Sequence, residues 1–580
     1  MKKRLLDNIR PFCVLSVVLL CASASGKDWH VCQRILPGID TNSQIRSIGE
    51  AVERLQAGDT VTIHGGIYRE QVTIDKNGMA AEPITIRAAT AEHVVVTGAE
   101  RLTDWQRDER DSSVFWTAWP HEFISWNEHN THPSDDYHRL IGRCEQVFVD
   151  GYPLGQVLER QKLSRGTFFV DLDARRLYVQ DRSNRDLGDK RVLTEASVNS
   201  TIWTCKSNHV RIKGIRFRYA ANRAQQGAVQ ISGDDNELDD CVFEYTNACG
   251  AKFSGERITV RNCTFRHNGQ LGFSAGRAHG LLLTGCTVTN NNTKGFNRGW
   301  EAGGNKIALT RGMVIANSIF TENKGDGIWF DIGNEKCEVK NCLIADNENA
   351  GIFYEISYGL YAHDNVIVGN GFAFSPADWG ANAGISISSS PDCLIERNLL
   401  IGNKEGLSLR EQKRSTPLIG GGSEPVWNRN LTVRNNLVAY NRDAQVWGWF
   451  DIDDERHWPK SMQETSPSRQ SRADDGPMDG PPDGSQLKDL ELVFENNIYR
   501  PGPGQGLFNW GVTWKRHIKY TELDAVRREL AFEHTGRLAD VAFRDFARLD
   551  LRVPAESRAI RMRCYPEGLV PGAKLGTYIR

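Results

Sequence analysis

Two phrases near the middle of the chain, GIWFD and GIFYE, each close an apolar run with a carboxylate: Asp331 in the first, Glu355 in the second. Paired acids are the equipment for breaking a glycosidic bond. One attacks the anomeric carbon and the other gives and takes a proton. On neighbouring parallel strands, ~4.8 Å apart, their carboxyls lie about 5 Å from each other. That separation suits a retaining reaction, whereas inverting pairs need ~6.5–9.5 Å to admit a water. Carboxylates this close repel, so one pKa rises, as a general acid requires. The spacing does not say which acid is the nucleophile.

A repeat is what puts the two acids at matching positions. Phrases of the form x-V-x-N-C-x-F recur from Val210 onward, with anchors at Ile215, Cys241, Cys263, Cys286, Ser318, Cys342, Val366, Leu399, Leu437 and Ile498. The commonest interval is 22 to 24 residues, and longer ones contain loops. Such a period marks stacked coils. The runs are β-branched, alternate in polarity and are broken by Gly and Asn, which excludes a helical solenoid. Asp331 lies 13 residues after Ser318 and Glu355 13 after Cys342, so they share one position in successive coils. The same register carries Ser388 and Arg410 into the following coils and places Lys306 approximately in the coil before. Cations flanking two acids stabilise their charged forms and hold sugar hydroxyls. Trp329 stands beside the acids, and Trp300, Glu301 and Trp379 lie on the interrupting loops, 290–305 and 371–381, as cleft walls. A third loop spans 411–429. A solvent-facing salt-bridge ladder accounts for the same charges without any chemistry. Asp326 and Asp346 read as turn residues.

The chain therefore reads as all-β, a right-handed parallel β-helix. Asn262, Asn317, Asn341, Asn365, Asn398, Asn436 and Asn497 are expected to stack at one corner. Cys241, Cys263, Cys286 and Cys342 read as packed core thiols. Residues 27–104 hold an N-terminal helix cap and the first coils: Ile45, Ile48, Ala51, Val52 and Leu55 keep helical spacing before strands at 60–63 and 71–74. Residues 105–199 lose the coil period and read as an inserted, sandwich-like β domain with hairpin strands at 146–151, 166–171 and 176–179. The β-helix resumes over 200–500, with an apolar-poor excursion at 461–485. Residues 501–580 form a C-terminal cap or tail, with a helix at 522–531.

Lys plus Arg (71) and Asp plus Glu (73) nearly balance, which excludes a nucleic-acid partner recognised through a basic surface. Residues 1–24 read as a signal peptide, with Lys2, Lys3 and Arg4 before a short apolar run and Ala22-Ser23-Ala24 at the cleavage site. Secretion or periplasmic export is expected, with no membrane span. Eleven cysteines remain after cleavage, an odd number, so at least one is unbridged or pairs between chains.

GIWFD followed 24 positions later by GIFYE (331 to 355) resembles the catalytic pair of the glycoside hydrolase family 120 β-xylosidases. That family's β-helix also carries an inserted β-sandwich. The resemblance implies a secreted hydrolase of polysaccharide or oligosaccharide, with Asp331 as nucleophile, Glu355 as acid/base and no metal or other cofactor. After the second acid the family pattern runs His-Gly-Pro, whereas this chain has Ile356-Ser357-Tyr358-Gly359. Two other readings fit the same residues. One is a polysaccharide lyase, with Ca²⁺ on the acids and Lys306 or Arg410 as base. The other is a non-catalytic carbohydrate-binding β-helix protein.

Overall fold

The computed structural model describes residues 26–123, 139–373, 382–412, 414–450, 487–512, 516–548 and 550–567. Residues 1–24, Trp379 and the excursion at 461–485 lie outside them. Three long sheets of 14, 13 and 13 strands run almost wholly parallel, and each coil gives one strand to each. The coil of Asp331 contributes Val314–Ala316, Ile319–Thr321 and Ile328–Phe330. They pair with Glu338–Lys340, Leu343–Ala345 and Ile352–Glu355 of the next coil. Alternation puts one set of side chains inward, where like residues stack. The rings of Phe217, Phe243 and Phe265 follow one another at 5.3 and 4.6 Å.

Every corner is held by a polar ladder. At the first corner the buried position is filled by Cys241, Cys263, Cys286, Ser318 and Cys342, and then by Asn365, Asn398, Asn436 and Asn497. Each Asn amide accepts from the next-lower backbone and donates to a carbonyl, as when Asn398 Oδ1 accepts from the Asn365 amides at 2.9 and 3.1 Å. The thiols donate to carbonyls in the same place, Cys342 Sγ to Lys340 O at 3.2 Å. The expected Asn stack is therefore two neighbouring positions. Asn262, Asn317 and Asn341 sit one residue earlier, in left-handed backbone (φ 54, 51 and 52°), where Asp364 takes over in the later coil (φ 56°). A second ladder, through Asn268, Asn291, Asn323, Asn347, Asn370, Asn403 and Asn441, occupies the next corner. A third, through Asn334, Ser357, Ser390 and Asn428, follows the sheet that carries the acids.

The cap helix is Ile48–Glu53, with the Ser47 hydroxyl accepting from the Glu50 amide at 3.2 Å; Ile48, Ala51 and Val52 are its buried face. The insertion is two sheets, of five and four strands. Phe115, Val147, Phe168 and Leu177, from both sheets, share one core. The chain leaves the coil after Val94–Thr97 and re-enters at Trp203–Cys205, which pairs with Val72–Ile74 as the third strand of an early coil. The four-stranded sheet takes in Ala99–Arg101, so the excursion starts before residue 105. At the other end the third sheet runs past residue 500 through Gly506–Val512, and the antiparallel strand Arg516–Tyr520 covers its edge. Helix Leu523–Leu530 then buries Leu523, Val526 and Leu530. No helix among the described residues is long and apolar enough to cross a membrane.

Candidate functional site

The outward face of the third sheet carries two adjacent rows of side chains. Segment 290–302 flanks it on one side, as a link from a second-sheet to a third-sheet strand. The hairpin Arg414–Pro417/Ser423–Val426 flanks the other side. Pairing of Ile328–Phe330 with Ile352–Tyr354 delivers Asp331 beside Glu355. Glu355 pairs with Ser388, and Ser388 with Arg410. The Asp331 amide donates to Ile307 O at 2.8 Å. Its own carbonyl accepts from Asn334 Nδ2 at 2.9 Å, and the Glu355 carbonyl accepts from Ser357 Oγ at 2.8 Å. The corner ladder thus fixes the backbone of both acids.

Lys306 is not in their row. Ile307 pairs with Phe330, so Lys306 lies below Trp329, in the neighbouring outward row. Its length corrects the offset. Nζ passes 4.5 Å from the Trp329 ring centre and reaches Asp331 Oδ2 at 3.0 Å and Glu301 Oε1 at 3.1 Å. Burial works against the Lys306 charge, but the Asp331 and Glu301 carboxylates outweigh it and raise its pKa. Asp331 Oδ1 is buried and has no hydrogen-bond partner among the described residues. Glu355 Oε1 lies 3.0 Å from Arg414 Nη1 and 3.5 Å from Arg410 Nη2. Arg410 is fully buried and donates from Nε to Ser388 Oγ at 3.2 Å. Burial, with Asp331 second, raises the Glu355 pKa, and the two guanidiniums pull the other way. Both acids are nearly enclosed, 6% and 5% exposed.

Trp329 and Phe353 stack at 5.6 Å beside the acids, in a small apolar cluster with Ala350. Glu301 ends the short helix Arg298–Glu301. Trp300 packs on Phe296 and an apolar cluster with Ala224, Ala302 and, from the insertion, Ile141. Lys294, on the same segment, donates to the Arg143 carbonyl and to Asn247 Oδ1, and burial brings its pKa down to about 8. The insertion therefore clamps the segment that carries Glu301.

Three site neighbours escape sequence reasoning. Arg414 sits on a hairpin outside the coil register, and no periodic signal finds it. Asp326 is more than a turn residue. It is 1% exposed, its Oδ1 accepts from the Ala350 amide at 3.0 Å, and burial, with Glu355 adding, keeps its pKa well above the usual range. Glu411 is fully buried behind Arg410, accepts from the Asn428 amide at 2.6 Å, and burial pushes its pKa up to about 8. Among the described residues, no three or more His, Cys, Asp or Glu side chains converge as a metal cage.

The family model for a right-handed beta helix region matches residues 200–333 and 227–398. The fold is a right-handed parallel β-helix. A chondroitinase B model matches residues 42–104. None of the curated proteins matches the chain. Among solved structures, XylC in complex with xylose is 16% identical, with a TM-score of 0.62 over 84% of this chain and 86% of that one. A glycoside hydrolase is 12% identical (TM-score 0.46; 94% and 99%). The PL6 family polysaccharide lyase Pedsa3628 from Pseudopedobacter saltans is 10% identical (TM-score 0.45; 88% and 96%).

Proposed function

We propose that this chain is a retaining glycoside hydrolase of polysaccharide or oligosaccharide, exported by its leader, with Asp331 as nucleophile and Glu355 as acid/base. The carrying observation is the division between two adjacent acids. Asp331 is charge-paired through Oδ2 yet keeps Oδ1 buried and, among the described residues, unpartnered. Glu355 is pushed toward its protonated form by burial and by Asp331. Glu355 gives its proton to the leaving glycosidic oxygen while Asp331 Oδ1 attacks the anomeric carbon, so the C–O bond breaks as a glycosyl ester forms. Ionised Glu355 then takes a proton from water, whose oxygen displaces Asp331. Lys306 stabilises Asp331 as the leaving carboxylate. Neither metal nor organic cofactor is needed. The fold shared with XylC, solved with xylose, supports a sugar substrate. The lyase reading needs a free base, but Lys306 is held between two carboxylates and Arg410 is fully buried.

The test is a glycan screen scored by released sugars, followed by proton NMR of the first-formed anomer. Retention is expected. Asp331→Ala and Glu355→Ala should each lower turnover by about 10²–10⁴-fold, with azide restoring the second on an activated aryl glycoside. Turnover unaffected by either substitution, or a chelator-sensitive activity that produces unsaturated ends, would sink the assignment.

A further inference from the structure

A cavity of about 470 Å³ lies on the same outward face as the acids, toward the N-terminal end. Arg223, Gln226, Gln230 and Lys252 line it, with Ser232 and Ser254. Its lining holds two cations, amides and hydroxyls, and no carboxylate among the described residues. Neither Arg223 nor Lys252 is ion-paired among those residues, and both are exposed. The size is that of a pocket for one or two sugar units.

The cavity joins the acid site along the sheet. Gln230 pairs with Lys252, Lys252 with Ser274 and Ser274 with Lys306. From the strand of Lys252 to that of Asp331 is three rungs, ~14 Å at ~4.8 Å per rung. The intervening surface is low. Gly276 has nothing within 4 Å of the place a Cβ would take, and its neighbour in the next rung is Ala308. One wall is continuous: Gln270 Oε1 accepts from the Gln225 amide at 2.7 Å, and Gln270 Nε2 donates to Glu301 O at 2.8 Å. Glu301 in turn touches Lys306, and Lys306 touches Asp331.

We propose that this cavity is a distal subsite for a negatively charged sugar, and hence that the glycan running along the trough to Asp331 is an acidic one. The anion, a uronate carboxylate or a sulfate ester, is met by Arg223 and Lys252 while the Gln226 and Gln230 amides take ring hydroxyls. The subsite rests on the site reading above only for what happens at the other end of the chain.

Binding tests it without turnover. Calorimetry on Asp331→Asn, with Asp331→Asn/Arg223→Gln/Lys252→Gln beside it, uses a galacturonate hexasaccharide, a sulfated carrageenan hexasaccharide and neutral xylohexaose. At low salt one of the anionic probes should bind about tenfold tighter than the neutral one, lose that preference at high salt, and weaken about tenfold in the triple variant while xylohexaose is unchanged. Whichever anionic probe binds distinguishes carboxylate from sulfate. Equal or tighter binding of xylohexaose, or an anionic probe indifferent to the two substitutions, overturns the subsite. Failure of the hydrolase reading shows instead as binding with no turnover in the unsubstituted protein.

Discussion

Arg414→Gln removes a cation from Glu355 while leaving the coil untouched, since Arg414 sits on the hairpin and is 28% exposed. At the observed 3.0 Å, unit charges in an effective dielectric of about 20 attract by ~5 kcal/mol before screening. Exposure of Arg414 to solvent, and the Arg410 guanidinium that remains 3.5 Å away, cut the net loss to about 1–2 kcal/mol, or roughly one pKa unit. The sign is fixed: losing a cation disfavours the carboxylate, so the already raised Glu355 pKa rises further. Glu355 acts as general acid only while protonated, so activity falls as pH rises through that pKa. The alkaline limb of kcat/KM should move up by about one unit in Arg414→Gln. Difference infrared spectroscopy of the protonated carboxyl, with Glu355→Gln as blank, should follow the same curve. An alkaline limb that stays put or moves down refutes the claim that Arg414 sets the ionisation of the acid.

Two further outcomes follow from buried polar groups. Asn347→Leu strands the Asn323 and Phe320 partners of the second ladder and should cost about 2–4 kcal/mol in denaturant unfolding, against no loss if the amides are dispensable. Glu411, with a folded pKa of about 8 against an ordinary glutamate value of 4.5, is protonated in the fold over a range where the unfolded chain has already ionised. Its effect is therefore a stability that declines as pH rises from about 4.5 to about 8, by several kcal/mol at most. Glu411→Gln should flatten that slope in melts across the window, and an unchanged slope would refute the assignment.

The coil was legible because its position-by-position chemistry is repeated: β-branched alternation, Asn or Cys at the corner, Gly at the turn. The 13-residue offset of Asp331 and Glu355 survived folding because no loop separates Ser318 from Asp331 or Cys342 from Glu355. Lys306 was misplaced because the intervening loop at 290–302 hides the true register, and its reach to Asp331 depends on side-chain length, which periodicity does not encode. The Asn stack was right for Asn365, Asn398, Asn436 and Asn497 and one residue out of step for Asn262, Asn317 and Asn341, because both the left-handed position and the buried ladder position accept Asn. Arg414, Asp326 and Glu411 were invisible for a common reason. Their roles come from burial and from a hairpin folding back across the sheet, and neither leaves a period in the sequence.

Each coil pairs only with its two neighbours, so a chain emerging N-terminus first meets a finished template at every step. The detour between Val94–Thr97 and Trp203–Cys205 interrupts this growth early, and the pairing of Ala99–Arg101 with Thr194–Ser197 brings its two ends back together. Assembly in that order leaves the chemistry until late. Asp331 is paired with Lys306 of the preceding coil but lacks its companion acid until the coil of Glu355 docks, and Glu355 lacks its guanidiniums until Arg410 and the hairpin with Arg414 arrive. A nascent chain stopped before residue 410 would carry both acids on a sound scaffold, with the proton-donating acid still untuned.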